Sequence, residues 1–323
     1  MRAIRFERPG GPDVLTLVET PTPEPGPGEV LIRHEAIGVN FIDVYHRNGA
    51  YPRPLPSGLG QEAAGVVQAV GAGVTRLGVG QRVAYAFAGS GSYAELATVP
   101  ADRVVPIPDG VSSEQAAAVL LKGMTTEYLV RRCFGLQAGQ TALVHAAAGG
   151  VGQLLVQWAK ALGAVVIATA GDERKAEIAR ALGADHVILY RTHDVAAEVR
   201  RITNGAGVAV AYDSVGRDTF DGTLASLARR GLFVSFGAAS GPAPAVDPGQ
   251  LSRMGSLFFT RPTLGDYIAT PSELEASAAA VFEMVASGRL RIDIGQTFPL
   301  AEAGRAHEAL EARTTVGATL LVP

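Results

Sequence analysis

Over the first 120 residues, apolar positions fall in short alternating runs, such as Glu29-Val30-Leu31-Ile32-Arg33 and residues 63–70, broken by glycine and proline. A period of two turns alternate side chains to one face of a strand. Frequent Gly/Pro punctuation separates short strands rather than helices. The stretch PTPEPGPG at 21–28 is barred from helix, because proline lacks the N–H donor and fixes φ; it reads as a rigid lead into a strand. Gly71 with Gly73, and Gly78 with Gly80, mark tight turns. The pattern predicts a small, irregular barrel or sandwich.

The rhythm changes near residue 113. Residues 114–132 have the composition and length of a helix. After them, apolar strand-like runs at 141–146, 165–170, 186–190, 208–212 and 232–236 alternate with helical segments. Val151, Leu154, Leu155, Trp158 and Leu162 fall on one helical face, and 174–182 and 220–228 supply two further helices. Buried strands alternating with amphipathic helices imply βαβ units and a parallel sheet. Residues 242–248 form a proline-containing connection. An Ala-rich helix follows at 272–287, with Ser272 as N-cap and Gly288 just past its end. A helix at 300–312 and a strand at 318–322 complete the chain, and this tail is expected to return to the first domain. No internal repeat is evident.

Composition narrows the class. With 323 residues, 47% apolar and 18% charged, the chain has enough core for two folded domains. The net charge is −3 and no Lys/Arg block stands out, which argues against nucleic acid as the main partner. The start, MRAIRFERPGG, lacks the apolar core of a signal peptide, and no run approaches the ~18 apolar residues of a membrane span. A cytoplasmic protein with no membrane association is the expectation. The lone cysteine, Cys133, allows no intramolecular disulfide.

The densest local signal is Ala146-Ala147-Ala148-Gly149-Gly150-Val151-Gly152. It follows a predicted strand and opens a predicted helix, the context that a dinucleotide fingerprint needs. Small residues let the backbone approach a pyrophosphate, and the helix start offers unpaired N–H groups. Gly152 allows close helix–strand packing. The first glycine of the G-x-G-x-x-G pattern is Ala147 here, a departure from it. The next strand ends Ala168-Thr169-Ala170-Gly171. NAD sites usually place a carboxylate at that end for the ribose 2′-OH, and a carboxylate there repels a 2′-phosphate. Gly171 leaves room, and Lys175 is placed to pair with such a phosphate as a point charge, which favours NADPH. Asp172 and Glu173 complicate that reading, unless Asp172 serves as the cap of the helix that follows. Alone, Lys175 is more commonly an exposed helix lysine.

Several segments, in order along essentially the whole chain, resemble one family. They are Gly38-Val39-Asn40-Phe41-Ile42-Asp43-Val44-Tyr45, Gly58-Leu59-Gly60-Gln61-Glu62-Ala63-Ala64-Gly65, residues 145–152, Tyr212-Asp213-Ser214-Val215-Gly216, and Arg305-Ala306-His307-Glu308. Together they resemble the quinone oxidoreductases, the zeta-crystallin branch of the medium-chain dehydrogenase/reductase superfamily. The resemblance implies an α/β protein: a GroES-like β-rich catalytic domain built from both chain ends (1–122 and 266–323), and a Rossmann-type domain with a doubly wound parallel sheet (123–265) that binds NADPH. It implies a cleft between them and a homodimer, for which residues 257–260 offer an apolar strand for self-pairing. It places Lys175, Tyr190 and Arg313 around the 2′-phosphate. It places Asn40, Tyr128, Gly150, Val151, Ser214, Phe236 and Gly237 along the cofactor, with Phe41 beside Asn40, and Phe259-Thr260-Arg261 as a further cofactor stretch. Without the resemblance, Tyr190 reads as a packing tyrosine and Arg313 as an exposed helix arginine.

Zinc relatives in that superfamily use Cys and His ligands at the cleft and a four-Cys lobe. Here Asn40 stands where those relatives carry a ligand Cys, and Gly60-Gln61-Glu62 replaces Gly-His-Glu. An amide is a poor zinc ligand, and the six histidines, at 34, 46, 145, 186, 193 and 307, show no metal spacing. No metal site is expected. Without a Lewis acid an alkoxide loses its stabiliser, so acceptors that are already electrophilic, quinones and enones, become the expected substrates. Asn40, with Tyr45 or Tyr51, is the expected hydrogen-bond donor set for the developing oxyanion, and Tyr51 is also expected to help shape a flat aromatic site. The alternatives are a reductase of activated C=C bonds on the same scaffold, and a non-enzymatic crystallin-like or RNA-binding role.

Overall fold

The computed structural model describes residues 1–89 and 91–323 of the chain. It divides into two units: Met1–Met124 with Ile268–Pro323, and Thr125–Tyr267.

In the first unit the period-two runs become antiparallel strands. The strand Glu29–Val39 is the hub. It pairs with Glu62–Val70, with Leu96–Pro100 and with the C-terminal strand Ala318–Val322. Arg82–Ala86 and Val104–Pro106 extend this seven-stranded sheet on one side and Ile294–Pro299 on the other, while Arg2–Phe6 joins a separate three-stranded sheet. The expected return of the tail is thus built from hydrogen bonds such as the register Leu320↔Gly38. Inward residues from both sheets, including Ile4, Phe6, Ile32, Ile37, Val67, Val83 and Leu321, form one core with Leu300, Ala303 and Ala306 from the C-terminal segment.

The second unit is a six-stranded sheet in which every neighbouring pair is parallel. Its spatial order is His186–Leu189, Val165–Ala170, Thr141–Val144, Val208–Asp213, Leu227–Ser235, Phe258–Thr260. Numbered along the chain this is 3-2-1-4-5-6, the doubly wound dinucleotide-binding order, with its switch point between the first and fourth strands. One core cluster joins Leu143, Ile167 and Ile188 on the strands to Val199, Phe220 and Leu224 on the helices.

Element ends differ from the sequence expectation where local chemistry intervenes. The Ala-rich helix is Pro271–Ala286 and is capped by Thr270, not Ser272. Pro271 fits the first turn because its missing N–H would have no partner there, and Thr270 and Glu273 form a reciprocal capping box. The helix expected over 114–132 is Ser113–Tyr128, followed by a wider π turn at Leu129–Cys133. The strand expected over 141–146 stops at Val144, because Ala146 turns into the left-handed region at φ 51°. The strand expected at 232–236 begins earlier, as Leu227–Ser235. The final helix begins as a 3₁₀ turn, Leu300–Glu302, before Ala303–Glu311.

Candidate active site

In the second unit, register decides which residues meet. Val144 is level with Ala168 on one side and Tyr212 on the other, Tyr212 with Val234, and Val234 with Thr260. The segments that follow these positions therefore emerge at one edge of the sheet. They carry Gly149–Gly152, Gly171, Ser214, Phe236–Gly237 and Thr260–Arg261, and Tyr190 follows Leu189, which is level with Ala170. Backbone hydrogen bonds tie the exits together: His145 N–H to Tyr212 O at 3.0 Å, Ala147 N–H to Thr169 O at 3.2 Å, Tyr190 N–H to Ala170 O at 3.2 Å and Phe236 N–H to Asp213 O at 2.8 Å. Arg261 Nη1 donates to Ser235 O at 3.1 Å. Gly237 lies directly against Ser214. Phe259 differs, since its ring packs on Phe220 and Phe233 in the core, leaving the main chain as its contribution to this edge.

The helix Gly150–Ala161 begins here with Gly149 as N-cap and no side chain capping it. Its leading N–H groups therefore lack intrahelical acceptors, which is the property that receives a phosphate. A Cβ at Gly152 would lie 2.2 Å from Ala146 O and 2.8 Å from Ala147 Cα, so only glycine lets the helix sit this close to the turn. Ala146 holds a left-handed conformation that costs an alanine about 1–2 kcal/mol, a strain of the kind that collects at ligand sites.

At the next strand exit, a Cβ at Gly171 would lie 2.7 Å from the Tyr190 hydroxyl, so the absent side chain makes space beside that tyrosine. Asp172 caps the helix Glu173–Ala181, its Oδ1 accepting from Lys175 N at 2.9 Å. The carboxylate thus serves as the cap of that helix, one of the two roles that the sequence left open. Lys175 lies in the first turn of this helix.

Two residues that the motif reading did not single out organise the fourth strand's exit. Asp213 is fully buried. Its Oδ1 accepts from Val215 N and Gly216 N at 2.7 and 3.0 Å, and its Oδ2 from Thr219 Oγ1 at 2.6 Å. His145, also buried, lies 3.2 Å from Thr169 Oγ1 and 2.9 Å from Thr223 Oγ1, and burial pushes its pKa down. Tyr128, farther along this unit, stacks on Tyr267 with ring centres 4.2 Å apart. Burial holds its hydroxyl protonated, with a pKa well above the ordinary value.

In the first unit, Asn40 caps the helix Phe41–Arg47. Its Nδ2 donates to Glu62 Oε2 at 2.9 Å and to Gly38 O at 3.4 Å. Glu62 is fully buried and also accepts from Leu121 N at 2.5 Å and Lys122 Nζ at 3.2 Å. A charged residue inside the apolar run 62–70, and a lysine inside the apolar helix that starts at Ser113, were the available sequence signals for this pair.

Asp43, one turn along the same helix, is fully buried and accepts at Oδ2 from Asn40 N at 2.9 Å and from the Tyr93 hydroxyl at 3.0 Å. Burial drives its pKa up to about 7. The chain of bonds continues to His307 and Arg47. Arg47 Nη1 can only donate, so His307 Nδ1 accepts at 3.1 Å, and Nε2–H then donates to the Tyr93 oxygen at 3.0 Å. Arg47 Nη2 completes the chain on Glu311 at 2.8 Å. This network anchors the helix that bears Asn40, Phe41 and Tyr45 to the C-terminal helix.

Tyr45 lies between Phe41 and Tyr51, with ring centres 5.4 and 5.1 Å away. Tyr51 is 38% exposed, so the cluster presents an aromatic ring at the surface, its planes tilted by 53° and 58° to one another. Arg313 belongs to this first unit, just past the helix Ala303–Glu311, with φ 58°, apart in the chain's division from Lys175 and Tyr190. Among the described residues no helix is long and apolar enough to cross a membrane.

Comparison with known proteins bears on this geometry. Residues 26–109 match the family profile "Alcohol dehydrogenase GroES-like domain" and residues 150–284 match "Zinc-binding dehydrogenase". Among the described residues no three His, Cys, Asp or Glu side chains group as metal ligands, and Glu62 already has Asn40, Leu121 and Lys122 as partners. This donor set does not fit a zinc ion. A quinone oxidoreductase of Pseudomonas aeruginosa is 52% identical over 323 residues, covering 100% of this chain and 99% of that one. A 2-haloacrylate reductase of a Burkholderia species is 43% identical, with 98% of each covered. The crystal structure of Escherichia coli quinone oxidoreductase complexed with NADPH superposes with a TM-score of 0.98 at 47% identity over 100% of both chains. The chain belongs to the quinone oxidoreductases of the medium-chain dehydrogenase/reductase superfamily.

Proposed function

We propose that this chain is an NADPH:quinone oxidoreductase. The observation that carries the reading is the sheet edge of the second unit, where an uncapped helix start meets Gly171, Tyr190 and Lys175. Full-length likeness to a quinone oxidoreductase that binds NADPH supports it. When bound, NADPH supplies the hydride. The N–H groups of Gly150, Val151 and Gly152 hold the diphosphate. Lys175 and Tyr190 receive the 2′-phosphate, and Tyr128, Ser214, Phe236, Gly237 and the main chain of 259–261 line the rest of the cofactor.

In the first unit, Tyr45 and Tyr51 give the acceptor an aromatic face and hydroxyl donors for the oxygen that becomes anionic. The amide nitrogen of Asn40 donates one N–H to Glu62, which fixes its orientation, and its second N–H remains a candidate donor to the oxyanion beside the tyrosines. Quinones need little proton assistance, so no strong acid is required.

A panel of quinones and enones with NADPH tests the reading. Quinone turnover is expected to dominate. Tyr51→Phe is expected to lower quinone kcat/KM about tenfold, roughly one hydrogen bond to a charged oxygen, and Asn40→Ala to raise the KM for NADPH. If neither variant changes turnover of any acceptor, the site assignment fails. Lys175→Ala is expected to erode the preference for NADPH over NADH by about tenfold. A panel in which only enones turn over would favour the second reading, reduction of activated C=C bonds, for which the 2-haloacrylate reductase is the relevant relative.

We also infer a homodimer. Leu257 of the expected stretch is buried, but Phe258–Thr260 is the last strand of the six-stranded sheet and Phe258 is 58% exposed, an edge strand of the kind that pairs with a second copy. Light scattering at twice the chain mass is the expected result, and Phe258→Lys is expected to shift it toward monomer.

A further inference from the structure

Arg53 stands apart from the paired charges of the first unit. It lies two residues beyond Tyr51, between the helix Phe41–Arg47 and the short strand Ser57–Gly58. Its Nε and Nη1 are buried and have no hydrogen-bond partner. Among the described residues it makes no ion pair. A guanidinium stays protonated, so Arg53 is a cation whose Nε and Nη1 are stripped of water and given no hydrogen-bonded anion in exchange. Removing a charge from water without a partner is costly, and an unpaired buried donor in a native fold calls for a partner from outside the chain.

The surroundings say which partner. The charge of Arg53 is felt by His46, and that of Asp43 is felt by Arg53, so the guanidinium lies beside the helix that carries Phe41 and Tyr45. The Tyr51 ring, two residues away in sequence, contacts both Tyr45 and His46. The cation therefore stands next to the aromatic surface assigned to the acceptor. The residues assigned to the cofactor diphosphate belong to the other unit.

We infer that Arg53 is a specificity-determining residue that pairs with a carboxylate on the acceptor, so that this enzyme prefers conjugated carbonyl compounds bearing an acidic group over neutral ones of the same shape. The inference rests on the reading of the chain as an NADPH-dependent reductase of such acceptors. A charge-assisted pair in a partly desolvated site is worth about 1.4 kcal/mol or more, a tenfold preference.

The test uses two acceptors of matched reduction potential: a 1,4-naphthoquinone with a propanoate side chain, and its methyl ester. The wild-type enzyme is expected to favour the acid over the ester by about tenfold in kcat/KM. In Arg53→Gln that ratio is expected to fall to near one, and in Arg53→Lys to recover in part. Benzoate is expected to inhibit ester reduction competitively in the wild type and to do so about tenfold more weakly in Arg53→Gln, a readout independent of the quinone's own placement. An acid-to-ester ratio that Arg53→Gln leaves unchanged overturns the inference. So does a rise in the KM for NADPH with no change in that ratio, which would assign Arg53 to a cofactor phosphate. Wild-type enzyme that oxidises NADPH with neither quinone would overturn the functional reading itself, and the inference with it.

Discussion

In the second unit the candidate site is made of main chain. Level strand ends and a helix start set Gly149–Gly152, Gly171, Ser214 and Gly237 side by side, and the side chains that matter most there are the ones glycine lacks. In the first unit the site is made of side chains held by other side chains: Asn40 by Glu62, Glu62 by Lys122, Asp43 by Tyr93, Tyr93 by His307, His307 by Arg47. The difference teaches where each unit is vulnerable. The second fails when atoms are added, and the first when charge or a hydrogen bond is removed.

The largest expected effect tests the main-chain half. Gly152→Val places a Cβ 2.2 Å from a carbonyl oxygen and 2.8 Å from Cα of Ala147, both backbone atoms that have no rotamer to yield. NADPH affinity is expected to fall by about 100-fold or more by calorimetric titration, equivalent to about 3 kcal/mol. A variant that binds NADPH normally would break the claim that backbone approach makes this site.

Next is the buried ion pair of the other unit. Glu62→Gln removes the carboxylate that pairs with Lys122 and is expected to cost about 3–5 kcal/mol in urea unfolding. The double variant Glu62→Gln with Lys122→Met is expected to recover part of that loss, because both charges of the pair are then gone. Equal destabilisation by the single and double variants would show that the pair matters through packing rather than charge.

The pH dependence of the same unit comes third. Burial lowers the pKa of His34 to about 4 and that of His307 to about 3, from 6.5. Below about 6.5 the unfolded chain takes up protons that these folded histidines refuse, so stability falls as pH drops from 6.5 toward 4 and is constant above that window. Asp43 acts in the opposite sense. Its pKa, raised from 3.8 to about 7, lets the folded state keep a proton that the unfolded chain has shed, so its contribution declines as pH rises from about 4 to 7. The histidines held neutral by burial outweigh the one carboxylate, so a net loss of stability is expected as pH falls from about 6.5 to about 4.5. Urea midpoints across that range check it. His34→Gln is expected to flatten the slope and Asp43→Asn to steepen it.

The smallest effect concerns the helix that bears Lys175. Asp172→Ala removes its N-cap and is expected to cost about 1 kcal/mol of stability, read as a lower melting temperature. If Asp172 opposes a 2′-phosphate rather than only capping, the same variant would also tighten NADPH relative to NADH, which sharpens the distinction between its two roles.

Most of the second unit was legible because its information is local. The fingerprint at 146–152 joins one strand to one helix, and the alternation of apolar strands with amphipathic helices carries the parallel sheet. Asp213, buried beneath the loop that it organises, was visible only as a quoted letter, since nothing in a sequence distinguishes a carboxylate that accepts main-chain N–H groups from one that faces solvent. Asn40 is named by the resemblance, but the bond from its amide nitrogen to the buried Glu62 is not foreshadowed by any local pattern. The first unit's network joins residues as far apart as Arg47 and Glu311, 264 positions along the chain. No periodicity reports a contact at that separation.

The sequence by itself determined the element types, the order of βαβ units and the phosphate turn, because each depends on neighbours within a turn or a strand, where propensity and period act. Tertiary structure alone decided which strand ends lie level and which partners the buried charges receive. Register and burial are properties of the packed whole, and in a buried site the free energy of a charge depends on what surrounds it rather than on what precedes it in the chain.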